Sequence, residues 1–363
     1  MTRAFDPIRI RDLSIPNRVW MSPMCTYSAA PAGALTGAPT DFHFAHYTSR
    51  AAGGAGLVMI EATGVNPAGR ISAWDLGLWS DAQQEAFSRL TSAIADAGAV
   101  PAIQLAHAGR KASVDRPWLG GHPLDVDAYG WTTHAPSAVA FPGYPTPTEM
   151  SVAEIAQVVE DFAAAARRAL AAGFKAVEIH AAHGYLLHAF LSPLSNHRTD
   201  SYGGDFDGRS RIVVDVIDAV RAVWPASLPV FLRVSTTDWI DENPELQDDS
   251  WTIQDTIALS RLAATHGVDL IDASSGGLIP THIPRDRDYQ TRYAKQIRSE
   301  IEIPVAAVGR IDDAAWASEL LEDGHADVLF IGRALLRDAS WPNNAAVALG
   351  SVPRYVEQYS YAV

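Results

Sequence analysis

Two histidines three residues apart, His180 and His183, precede a tyrosine in the run His180-Ala181-Ala182-His183-Gly184-Tyr185. Imidazoles at this spacing can donate hydrogen bonds to one ligand oxygen, or both can ligate a metal. Taken singly, either could also be a satisfied core histidine. A barrel metal site would add a carboxylate or further histidines at other strand ends. The corresponding positions here hold Cys25, Gln104, Arg233 and glycines, and an arginine repels a cation, so no metal is expected. Arg233 lies in an apolar run whose neighbours Phe231, Leu232 and Val234 supply no counter-charge. A buried guanidinium needs an acceptor, either a core carboxylate or an anionic cofactor. Gln104 offers a donor and an acceptor on one amide, which suits the edge of a heterocycle. Cys25 reads equally as a buried thiol or as a functional one needing a nearby base.

A second group suggests an anion. Gly309-Arg310 and Gly332-Arg333 each follow a short apolar run. Glycine lets backbone N–H groups approach an anion, arginine adds a charge-assisted donor, and a helix beginning near Ala334 would aim its positive end at the same place. The plainer reading is that these glycines make tight turns.

These residues need a scaffold that collects strand ends. Eight short runs read as strands buried on both faces: Val19–Met24, Leu57–Ala62, Pro101–Ala106, Ala176–His180, Val230–Val234, Leu270–Ala273, Val305–Val308 and Val328–Ile331. Amphipathic helices alternate with them. Ser151 and Glu154 form a capping box, Ile155, Val158, Val159, Phe162, Ala166 and Leu170 repeat at helical spacing, and Gly173 stops the run. Another helix carries Ile212, Val216, Val220 and Val223 on one face, and a third runs from near Trp251 to Gly267. This alternation predicts an α/β chain folded as a (β/α)₈ TIM barrel, with a doubly wound sheet as the rival. The expected organisation is a single domain over 1–363, with a long loop at 120–147 and a C-terminal tail at 342–363.

Composition narrows the function classes. The chain has 363 residues and a formal charge of −14, which disfavours nucleic acid and anionic membranes as partners. No apolar run approaches the ~18 residues of a membrane span, and the segment from Met1 to Arg11 lacks a signal-peptide core. One cysteine excludes an intrachain disulfide and four-cysteine clusters. A cytoplasmic enzyme is the expectation.

The strand ends, taken together, resemble the old yellow enzyme family, specifically its thermophilic-like, xenobiotic reductase class. The resemblance runs from about Phe5 to Trp341. It rests on Pro16-Asn17-Arg18 leading to Met21-Ser22-Pro23-Met24-Cys25, on Arg50-Ala51-Ala52-Gly53-Gly54-Ala55-Gly56-Leu57, and on Gln104-Leu105-Ala106-His107-Ala108-Gly109-Arg110-Lys111-Ala112. The longest motif runs from His180 through Leu191-Ser192-Pro193 and Asn196 to Tyr202-Gly203-Gly204.

The resemblance implies bound FMN, with NADPH or NADH as hydride donor, and reduction of small-molecule activated alkenes through flavin N5 to the β-carbon. Ser22, Pro23, Met24, Cys25 and Ala62 would line the flavin, Gln104 would take its pyrimidine edge, and Arg233 would sit near N1. Gly276, Gly277, Gly309, Arg310, Gly332 and Arg333 would surround the phosphate. His180 and His183 would hold the substrate carbonyl, Tyr27 would touch the substrate, and Tyr185 would protonate the α-carbon. A homodimer or homotetramer is implied. The tail has no arginine after Arg354, so a donor shared between subunits would have to be Tyr359 or Tyr361. Two other readings are open: a metal-dependent barrel hydrolase using His180 and His183, and a non-catalytic flavin-binding redox sensor built on Cys25.

Overall fold

The computed structural model describes residues 3–362 except 244, 247 and 248. Eight parallel strands close into a barrel in which each pairs with the next along the chain and the last returns to the first. They are β1 (Val19–Met21), β2 (Leu57–Gly64), β3 (Val100–Ala106), β4 (Ala176–Ala181), β5 (Val230–Ser235), β6 (Leu270–Ser274), β7 (Val305–Val308) and β8 (Val328–Ile331). Closure is made by pairing Leu329 with Val19 and Ile331 with Met21. The doubly wound alternative is therefore excluded. Every expected strand is present; two match at both ends, and the other six differ at one end by one to three residues. The largest difference is β1, which stops at Met21, so Ser22 to Met24 leave the ladder as loop.

Buried strands have two inside faces. Inward residues Trp20, Met59, Ala102, Ala176, Phe231, Leu270, Ala306, Val328 and Phe330 form one cluster. Trp20 stacks on Phe231 at 5.8 Å and meets Phe330 edge-on at 5.5 Å, which plugs the lower barrel. A hairpin of Ile8–Ile10 and Leu13–Ile15 adds Ile8, Ile10 and Ile15 to this cluster. Outward residues pack against helices. In the helix Val152–Ala171, Ile155, Val158, Phe162 and Ala166 are buried, and Ser151 and Glu154 cap it reciprocally, with the Ser151 N–H donating to the Glu154 carboxylate at 2.7 Å. Such a cap is worth about 1 kcal/mol.

The segment 120–147 is less plain than a loop. It contains a helical turn at Val126–Ala128 and a short strand, His134–Ala135, paired with Thr148–Glu149. At the C-terminus, helix Trp341–Ala348 leads into a tail tied down by Asn343, whose side chain accepts from Arg354 N–H at 2.8 Å, and by the Arg354 guanidinium, which donates to Gly98 O. Gly98 precedes β3, so the tail lies at the barrel mouth opposite the strand C-termini. Tyr359 and Tyr361 are exposed. Val363 lies outside the described residues. Among the described residues no helix is long and apolar enough to cross a membrane.

Candidate active site

Strand alternation dictates what rises above the plugged floor. Two residues past Trp20, Ala102, Ala176, Phe231 and Leu270 come Ser22, Gln104, Glu178, Arg233 and Asp272, all buried. Gln104 Nε2 donates to Glu178 Oε1 at 2.8 Å. Arg233 Nε lies 3.3 Å from Asp272 Oδ2, and its Nη1 is 3.4 Å from Ser22 Oγ. The core carboxylate that Arg233's chain neighbours could not supply comes from the adjacent strand: Asp272 is its register partner on β6. An argument from chain neighbours misses this, because in a sheet the relevant neighbour is lateral.

Above this layer a cavity of about 530 Å³ opens between the ends of β1, β6, β7 and β8. Of the expected cofactor residues it gathers Ser22, Pro23, Met24, Arg233, Gly309, Arg310, Gly332 and Arg333. Ser274, Ser275, Gln290 and Arg337 also line it and were not anticipated. Ser275 Oγ donates to Gln290 Oε1 at 2.6 Å, while Gln290 Nε2 donates to Val308 O. A Cβ on Gly332 would meet only Met24 Sδ, at 3.4 Å, so this end is open to a ligand. Positive charge comes from Arg310, Arg333 and Arg337. The helix after β8 is only Arg333–Arg337, five residues long, so the arginines and not a helix dipole supply the field.

Gly276 and Gly277 do not line this cavity. A Cβ on Gly276 would strike the Trp239 ring at 2.8 Å, and one on Gly277 would meet His183 Cα at 2.7 Å. Gly276 packs against Trp239 in the segment after β5, and Gly277 against the turn after β4.

That turn carries the histidine–tyrosine set. His183 adopts φ 60° and Gly184 φ 73°, a region costly for a histidine. The strained turn is held by four bonds: His183 N–H donates to Ser235 Oγ, Gly184 N–H to His188 Nδ1, and Lys111 Nζ donates to both His183 O and Gly277 O at 2.8 and 2.7 Å. Lys111 joins three strand-end loops, a role its position after β3 did not announce. A Cβ on Gly184 would lie 2.3 Å from Gly277 O. Gly184→Ala is therefore expected to shift His183 and Tyr185 and lower kcat/KM by about 100-fold, as for a misplacement near 1 Å, with bound flavin retained. Wild-type turnover in that variant would contradict this.

The rings of His183 and Tyr185 stand perpendicular to His180, with centroids 5.2 and 5.1 Å away. Ala182 N–H donates to His180 Nδ1, so the neutral ring carries its proton on Nε2. His183 Nε2 lies 2.6 Å from Ser274 Oγ, so that nitrogen is shared with the protein before any ligand arrives. Burial, then the charge of Arg233, push both imidazoles well below the usual histidine range. Because the folded pKa values are depressed, their contribution to stability is full above about 6.5 and declines as pH falls below it. The KM for an enone is expected to stay level between about pH 6 and 8. An increase on acidification with a midpoint near 6.5 would contradict this.

Tyr185 also belongs to a second group with Cys25, Tyr27, Ala62, Ala106, Ile71 and Tyr144. Tyr27, Lys111, Tyr144 and Tyr185 line a cavity of about 290 Å³ beside the histidines. Burial pushes the Tyr185 phenol well above the ordinary tyrosine value, so it remains a proton donor at any working pH. Cys25 is likewise pushed up by burial and by the charges of Asp75 and Glu61, which works against a thiolate nucleophile. Among the described residues no three His, Cys, Asp or Glu side chains are gathered so as to hold a metal ion.

The chain also matches known proteins. The sequence profile of the NADH:flavin oxidoreductase / NADH oxidase family matches residues 3–350. An NADPH dehydrogenase of Bacillus subtilis (strain 168) is 45% identical over 350 residues, 96% of each chain. Morphinone reductase in complex with tetrahydroNAD superposes with a TM-score of 0.77 at 27% identity, covering 98% of this chain and 93% of that one. A 2-naphthoyl-CoA reductase shares the fold, with a TM-score of 0.84 at 22% identity over 96% of this chain; this chain spans 52% of that longer one.

Proposed function

The chain belongs to the NADH:flavin oxidoreductase / NADH oxidase family, the old yellow enzymes, and is thus an FMN-dependent, NAD(P)H-dependent oxidoreductase; from that premise we propose that it is an ene-reductase acting on small activated alkenes. Bound FMN supplies the chemistry of accepting hydride from NAD(P)H and delivering it to the β-carbon of the substrate.

The residues present fit FMN. Arg233 Nε and both Asp272 carboxylate oxygens are buried without a hydrogen-bond partner, and buried polar atoms left unpaired are costly. Arg233 and Gln104 would take the pyrimidine side of the ring, Ser22, Pro23, Met24, Cys25 and Ala62 its other contacts, and Gly309, Arg310, Gly332 and Arg333 the phosphate. A guanidinium fixed near N1 favours the electron-rich state of the ring.

The observation that carries the alkene reading is the convergence of His180, His183 and Tyr185 beside the cavity. His180 Nε2–H donates to the substrate carbonyl oxygen, and His183 joins it through Nδ1 or by releasing Ser274. These neutral donors stabilise the negative charge that builds on that oxygen as the β-carbon is reduced. Tyr185, held protonated, then gives its proton to the α-carbon. Tyr27 contacts the substrate from the neighbouring cavity.

The test is Tyr185→Phe. Flavin re-oxidation by cyclohexenone is expected to slow by about 100- to 10,000-fold, while anaerobic reduction by NADPH keeps its rate. Equal loss in both half-reactions would assign Tyr185 to ring binding and remove it as the acid.

A further inference from the structure

The polar layer beneath the cavity has more acceptors than donors. Glu178 Oε2, Asp272 Oδ1 and Asp272 Oδ2 are buried and accept no hydrogen bond, and Arg233 Nε donates none. Arg233 on β5 is the register partner of Asp272 on β6 and of His180 on β4, and Glu178 stands two residues below His180 on the same face of β4, so a carboxyl lies to either side of one guanidinium. Both carboxyls are fully buried. Full ionisation would leave an uncompensated negative charge in a dry barrel, and buried like charges cannot both ionise. We propose that Glu178 and Asp272 are positioning residues that share one proton below the flavin, hold Gln104 and Arg233 on its pyrimidine side, and take up a second proton from solvent when the flavin is reduced.

The surroundings are fully specified. Gln104 faces the pair from β3, His180 from β4 with His183 in the turn after it, Arg233 from β5, Ser274 from β6 and Ser22 from the end of β1. Met59, Val308, Phe330 and Trp20 face it from β2, β7, β8 and β1 and carry no charge. Burial pushes both Glu178 and Asp272 above the usual carboxylate range; the charge of Asp272 adds to the effect at Glu178, and Arg233 opposes both. Asp272, 3.3 Å from Arg233 Nε, is the ionised partner of the guanidinium, and Glu178, which meets only the Gln104 amide, keeps the proton.

The balance is simple. Two electrons and one proton enter the flavin as hydride from NAD(P)H, leaving negative charge on its pyrimidine side. Arg233 is then divided between that charge and Asp272. The carboxylate is less stabilised, and it binds one proton from water to become a second neutral carboxyl.

This inference rests on the placement of Gln104 and Arg233 beneath the flavin, and the experiment separates the two. The midpoint potential of the holoenzyme is measured spectroelectrochemically from about pH 6 to 9, the range spanned by raised carboxyl pKa values. Wild type is expected to show a slope of two protons per two electrons over part of this range. Glu178→Gln and Asp272→Asn each leave one carboxyl for one guanidinium, and each is expected to halve the slope. In parallel, the reduced-minus-oxidised infrared spectrum of wild type is expected to gain a protonated-carboxyl band that both variants lack. A wild-type slope of one proton throughout, with shifted potentials in the variants, would overturn proton sharing and leave the placement standing. Potentials in both variants that superpose on wild type at every pH would overturn the placement, and the proposal with it.

Discussion

Replacing His180 and His183 together with alanine is expected to lower kcat/KM for cyclohexenone by about 1,000-fold or more, since loss of one such donor costs about 100- to 1,000-fold. The two act on one oxygen, so the double change should fall short of the product of the single ones. Phenol binding, which uses the same donors, should weaken in parallel. FMN content should not change, because the cavity end proposed to hold the phosphate is built from the ends of β7 and β8 and not from this turn. Steady-state kinetics and the perturbation of the flavin spectrum by phenol check both halves. Unaltered turnover and phenol binding in the double variant would remove these histidines from the site.

Arg233→Ala is the second large effect. Removing one partner of a buried ion pair typically costs about 3–5 kcal/mol, because the remaining charge is stranded. Here Asp272 would be stranded beside Glu178, and protonation of Asp272 limits the loss toward the lower end of that range. The flavin potential should also fall, slowing reduction by NADPH. Thermal melting and anaerobic reduction rates measure the two consequences separately. A variant as stable as wild type with an unchanged reduction rate would contradict both the pairing and the position assigned to Arg233.

Much of this was legible before any fold was on the page. The eight strands were readable because barrel strands are buried on both faces and appear as uninterrupted apolar runs such as Val305–Val308. The helix after Ser151 was readable because its capping box is local. The small strand at His134–Ala135 was not readable, since two residues carry no period and its partner lies beyond a turn. Within the site, the motif residues were visible as strand-end polar groups. Glu178 and Asp272 lie within strands and not at their ends, so a reading of strand-end residues does not include them. The period of two would have found them: Glu178 shares a face with His180, and Asp272 shares one with Ser274. Asp272 as partner to Arg233 needed the register between β5 and β6, which no local pattern contains. Gly276 and Gly277 fall outside the cavity lining, and no sequence pattern marks that. Glycines after a strand look the same whether they admit a phosphate or a neighbouring backbone, and only the approach of His183 distinguishes the two. The reach of Arg333–Arg337 as a helix was likewise a matter of length that its first turn does not reveal.

The most direct test of alkene reduction uses the holoenzyme reduced anaerobically with one equivalent of NADPH and then mixed with cyclohexenone. The yellow absorbance should return in a single saturable phase, with cyclohexanone formed in equal amount to the flavin re-oxidised. Absorbance that stays bleached until oxygen is admitted, with no cyclohexanone, would contradict the account.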